Sequence, residues 1–263
     1  IEALSNFNDV EKGDKGGFIE NENNLSQSGD CWIYGDAKVY GDAKVCDNAE
    51  VFGKAMVYDN AKIRNHASVC GDARVYGSAE VYHYAKVYDN AKIYGNAMVC
   101  ENAVVCGYAS IYDKAEVFSY AKVCDYAEVY ETARVYGNAK VRGNAMVYGD
   151  AVISDNAKVW MDAKVRGKAK IFDNVRIYDN AKVYDDVVVY GNAEVYNNAE
   201  VFGSAEVYGN AMIYGNAFVC GHAKVCGNAE VYDNGAVYGD GLVYDNAEIY
   251  GDREVHGNEK VGE

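Results

Sequence analysis

The stretch IYGDAKVYGDAKV, residues 33–45, contains the sextet YGDAKV twice, and the same period runs on to the end of the chain. Stepping by six from Ile33 to Val261 meets 39 positions, every one Val or Ile, with no insertion and no slip. The position four residues after each of these is nearly as strict. It is Ala without exception from Ala37 to Ala169, and later departs only at Val175, Val187, Gly235, Gly241, Arg253 and Glu259. A fixed period of this kind marks a repeat architecture and takes precedence over any local motif.

Within one repeat, Ala-Lys-Val-Tyr alternates small apolar, charged, branched apolar and aromatic. This period-two pattern is that of a strand with Ala and Val on one face and Lys and Tyr on the other. The two residues that follow are mostly Gly or Asp, then Asn or Asp, which suit a tight corner. A helix is excluded because apolar spacings of two and four within a fixed six never trace a 3.6-residue stripe. Antiparallel hairpins would misdirect the apolar faces, whereas turning the same way at every corner keeps them all inward. Three repeats then close one triangular coil, and each strand lies on its counterpart one coil above in a parallel ladder. The 39 repeats predict about 13 coils, stacked at about 4.8 Å to a length of roughly 60 Å.

This motif, an aliphatic residue with a small residue four later, resembles that of the hexapeptide-repeat superfamily over residues 25–261. The resemblance implies an all-β fold, a left-handed parallel β-helix with three six-residue sides per coil. The leader segment GDKGGFIENENNLSQSGDCWIYGDA, residues 13–37, is similar to the opening of hexapeptide-repeat proteins of bacteria and their phages, described as transferases or phage-associated proteins. Leu25 and Cys31 fall in the Ala register. The expected organisation is therefore a cap over residues 1–24 and a β-helix over 25–263. Arg253 and Glu259 occupy inward positions where an unpaired charge is costly, so the last coil is expected either to fray or to be closed by something this chain lacks.

Composition bounds the function classes. The net charge of −15 argues against nonspecific binding to nucleic acid or anionic membranes. No apolar run approaches the roughly 20 residues of a membrane helix. The absence of Pro fits uninterrupted ladder pairing. The chain opens on Ile1 rather than Met, which leaves secretion open. Of eight Cys, only Cys106 and Cys124 are separated by three repeats and so stack directly, and parallel side-chain vectors argue against their bridging. Predominantly free thiols point to a cytoplasmic or virion-associated protein.

Hexapeptide-repeat acyltransferases use a His as general base, act as trimers and often carry a loop thrown out from one coil. Here His66 and His222 fall at the second corner position, His83 at the first and His256 in the Tyr column, and no repeat carries an insertion. No metal site, phosphate loop or cofactor is expected. Function is therefore sought on the outward columns, where Tyr follows the aliphatic residue in most repeats. These columns either support their cross-strand neighbours or offer a surface for self-association or for stacking sugars or bases.

One side places Lys86, Val104, Lys122, Lys140, Lys158 and Arg176 one per coil, with Arg142 and Trp160 in the adjoining column. Such a stripe is either a partly neutralised solvated face or a groove for an anionic polymer. The expected function is a structural or binding protein, a scaffold, filament or phage or bacterial surface component acting through Tyr, Lys and Glu ladders and self-associating through the lateral Tyr surface or the helix ends. A trimeric acyltransferase using acyl-CoA is the alternative.

Overall fold

The computed structural model describes residues 1–262. Every strand in it is two residues long and, along the repeat, consists of the outward residue and the inward aliphatic, as in Lys38–Val39 or Glu50–Val51. The chain divides into two compact units, Ile1–Glu131 and Thr132–Glu263. Each is built from parallel sheets on three sides, and each is a left-handed parallel β-helix.

In the first unit the leader contributes its own rung. Phe18–Ile19 pairs in parallel with Lys38–Val39, and Leu25 bridges to Val45. Residues 1–15 form an antiparallel flap through the Glu2 to Lys15 and Phe7 to Val10 bridges, with Phe7 set edge-on against Trp32. Asn24, buried, donates to the carbonyls of Gly41 and Ala43 and so ties a turn of 3-10 helix, Glu22–Asn24, to the coil beneath.

The ladder register is one whole coil at every rung. Lys86 pairs with Val104 and Lys140 with Lys158, and the backbone N–H of each outward residue donates to the carbonyl just before its partner in the next coil, as Lys92 does to Ala109 at 2.9 Å. The first corner residue takes positive φ whether it is Gly or not: 59° at Asp89, 70° at Gly95 and 60° at Met161. An Asp there also caps the next coil, because its Oδ2 accepts the N–H of the corresponding corner residue. Asp89 does so to Gly107 at 3.1 Å and Asp173 to Gly191 at 3.0 Å.

The core of each unit is the inward Val, Ile and Ala, which are fully buried along almost the whole repeat. Each Val or Ile removed from water contributes about 1.5–3 kcal/mol before entropy is set against it. The expected fraying of the last coil is corrected by the structure: Glu254–Val255 and Lys260–Val261 keep their ladder pairs. Arg253 and Glu259 are exposed rather than buried, so their charges stay solvated and the predicted penalty does not arise.

Ile93 and Lys92 are adjacent on one strand and face opposite ways, Ile93 fully buried and Lys92 exposed. Ile93→Asp is expected to cost about 4 kcal/mol or more by burying an unpaired charge, against about 0.5 kcal/mol or less for Lys92→Ser. Comparable losses in denaturant midpoint for the two would contradict the inward and outward assignment.

Candidate functional site

The fixed register sets equivalent side chains one above another, and the outward columns become stacks. In the first unit Tyr40, Tyr58, Tyr76, Tyr94, Tyr112 and Tyr130 form one stack with centroids 4.8–5.0 Å apart and ring planes within 4° of parallel. In the second unit Trp160, Tyr178, Tyr196, Tyr214, Tyr232 and Tyr250 form another. Each ring covers its neighbours' faces, so the columns present ring edges and phenols outward. Within a stack the faces of the inner rings are occupied by their neighbours.

The phenols are anchored by a second regularity. At several rungs the outward residue of the next coil on the same side is a Glu that accepts from the phenol, whereas Tyr34, with Glu50 in that position, donates to Asp9 instead. Tyr112 bonds Glu128 at 3.0 Å, Tyr178 bonds Glu194 at 3.0 Å and Tyr214 bonds Glu230 at 2.8 Å. The corners add amide ladders. In the second unit Asn138, Asn156, Asn174, Asn192, Asn210, Asn228 and Asn246 form a relay in which each Nδ2 donates to the Oδ1 of the next, at 2.9–3.3 Å. Reading the sequence by columns, one coil at a time, would have exposed both patterns; reading the corner Asn only as a turn former hides them.

The basic stripe is resolved as follows. In the first unit Lys86 and Lys122 are exposed and lie on one sheet with Val104 between them. In the second unit Lys140, Lys158 and Arg176 occupy consecutive rungs, with Arg142 and Trp160 in the adjoining column. Arg176 is not free, because its Nη1 pairs with Glu194 at 2.9 Å, and that carboxylate also accepts from Tyr178. Of the His residues, His66 and His83 are neighbours on adjacent coils, the His66 backbone N–H donating to the His83 carbonyl at 2.8 Å. His66 stacks on Tyr84, His83 lies edge-on to Tyr82, and His256 stacks on Tyr238. Among the described residues no cluster of His, Cys, Asp and Glu could hold a metal ion, and no helix is long and apolar enough to cross a membrane.

Cys106 and Cys124 do form a disulfide, with Cα atoms 4.7 Å apart. This corrects the argument from parallel vectors, because that separation lies within the range a bridge spans and the two side chains need only rotate toward each other. The remaining six Cys are free thiols.

Lys182, Tyr184 and Glu200 make the clearest titrating group, with Glu200 accepting from Lys182 at 2.7 Å and from Tyr184 at 3.1 Å. The Lys182 hydrogen bond, aided by Tyr184 and opposed by partial burial, holds the Glu200 carboxyl below its usual range. Partial burial, and then the bond to Glu200, push Tyr184 up to about 12. The Glu200 contribution to stability is present above the ordinary carboxylate range and is lost as pH falls through its lowered value. The Tyr184 contribution is complete below the ordinary phenol value of about 10 and is lost as pH rises through about 12. Glu200→Gln should bring one phenol down toward its ordinary value in a phenolate absorbance titration compared with the parent chain. Superimposable titrations would show that the bond does not form in solution.

Comparison with known proteins agrees with this geometry. Residues 91–107, 175–191 and 205–221 match the family model described as YdcK Beta solenoid repeat. Each segment is about one coil, and together they cover well under half of the chain. A search of curated proteins finds no match. With its parallel ladders and regular coils, the chain is a parallel β-solenoid in which these three segments are similar to YdcK-type repeats.

Proposed function

We propose that the chain is a structural or binding element, a scaffold or filament component, that works by presenting aromatic and charged columns on stiff β-helical sides and assembles laterally with further copies. The observation that carries this reading is the pair of stacks, six Tyr in the first unit and Trp160 with five Tyr in the second, each repeating at the rung spacing. A comb of ring edges and phenols with that period is commensurate with any surface of the same period, and another copy of the chain is one. Tyr supports such contacts because it joins apolar area to a polar tip. Its stacking and its bonds to Glu also hold the side chain in place before any partner arrives, which lowers the ordering cost of association.

Light scattering after size exclusion, over a wide range of loading concentrations, tests the reading. The expected result is a mass above the 28.8 kDa of one chain that rises with concentration. A mass equal to one chain at every concentration would remove lateral self-association from consideration.

A further inference from the structure

The side of the second unit that begins at Lys140–Val141 carries charges of opposite sign at its two ends. Its outward residues run Lys140, Lys158, Arg176, Glu194, Met212, Glu230 and Glu248, one per rung. The middle is neutralised within the chain, because Arg176 pairs with Glu194. The ends are not. Lys140 and Lys158 are neighbours on adjacent rungs, and among the described residues neither forms an ion pair. Glu230 and Glu248 are likewise neighbours, their carboxylates bonded by the phenols of Tyr214 and Tyr232 at 2.8 Å each and, among the described residues, in no ion pair, although Arg253 Nη1 reaches the Glu248 main-chain carbonyl at 3.5 Å. Like charges about 4.8 Å apart on one face repel. Each end therefore holds an uncompensated pair, of opposite sign to the other and equally distant from the Glu194 rung.

We propose that this side binds the same side of a second copy, face to face and antiparallel, about a twofold axis that runs along the strand direction at the Glu194 rung. This rotation reverses the order of the rungs and leaves each column opposite itself. Lys140 then meets Glu248, Lys158 meets Glu230, Arg176 meets Met212, and Glu194, already paired with Arg176 of its own chain, meets its own copy on the axis. In the adjoining column Arg142 meets Tyr250, Trp160 meets Tyr232, Tyr178 meets Tyr214, and Tyr196 meets its own copy on the axis. The contact is isologous and closes at two copies. A parallel pairing leaves cationic rungs beside cationic rungs, with Lys140 against Arg142, and is disfavoured by the same charges. Seven rungs span about 34 Å and the side is about 14 Å across, so each copy covers roughly 500 Å². That is the low end for specific interfaces, so the dimer is reversible, salt-sensitive and dependent on its charge pattern.

The proposal rests on the reading of lateral self-association and adds the face, the partner and the orientation. Sedimentation equilibrium of the full chain tests it with two variants, Lys140→Glu with Lys158→Glu, and Glu230→Lys with Glu248→Lys. Each variant alone places like charges opposite one another and is expected to raise the dimer dissociation constant roughly tenfold or more. An equimolar mixture of the two makes the opposed pairs at positions 140, 158, 230 and 248 complementary, and is expected to restore a dimer containing one of each. Loss of folding cannot produce that gain. If both variants dimerise as the parent does, or if the mixture stays monomeric, this face is not the interface, while self-association through another surface survives. A parent chain that is monomeric at all concentrations sinks both readings. If Lys140→Glu with Lys158→Glu abolishes retention on immobilised heparin and leaves the dimer unchanged, the cations serve a polyanion and the proposal is overturned.

Discussion

The structure depends on one constraint, the closure of every coil of the repeat in the same number of residues, so that each outward backbone N–H finds its carbonyl in the next coil. Short strands of two residues could not hold a sheet by themselves. They do so because the register is the same from rung to rung through the repeat, as Lys86 with Val104 and Lys140 with Lys158 show. The positive φ of the first corner residue is what lets the chain turn the same way each time. Its cost falls on side chains such as Met161 and Glu101 that carry a Cβ into that region.

Once the register is set, the surface becomes a set of columns in which like stands on like. This arrangement favours groups that bond their own kind. Amides relay hydrogen bonds from Asn138 to Asn246, and rings stack from Tyr40 to Tyr130. It penalises charges, which repel unless the next coil brings the opposite sign, as Glu194 does beneath Arg176 and Glu200 beneath Lys182. Individual exposed pairs contribute little. Their placement decides what the surface can bind more than how stable the helix is.

The architecture could be read directly from Val, Ala and the corner residues, because burial and turn geometry act on residue type within a single repeat. What could not be read that way involves two coils at once. The bond from Tyr178 to Glu194 joins neighbouring coils, and the pairing of Arg176 with Glu194 ends what looks in sequence like a continuing basic stripe. The Cys106 to Cys124 bridge depends on how two side chains rotate, which spacing alone does not specify. Arg253 and Glu259 hold inward register positions and yet remain solvated. The position of a residue in the repeat therefore sets its backbone more firmly than its burial.

The two periods built into the fold, the repeat and the coil, have different meanings for a gene that encodes it. A duplication or loss of three repeats adds or removes one whole coil and leaves every remaining residue on the column it already occupied. A change of one repeat preserves the inward Val and Ala just as well, and the core would tolerate it. It would, however, carry everything downstream one side around the coil, moving Tyr178 and the residues beneath it out of the column headed by Trp160. Copy number can thus drift in whole coils without loss of surface identity, whereas a step of a single repeat keeps the fold and scrambles what the fold displays.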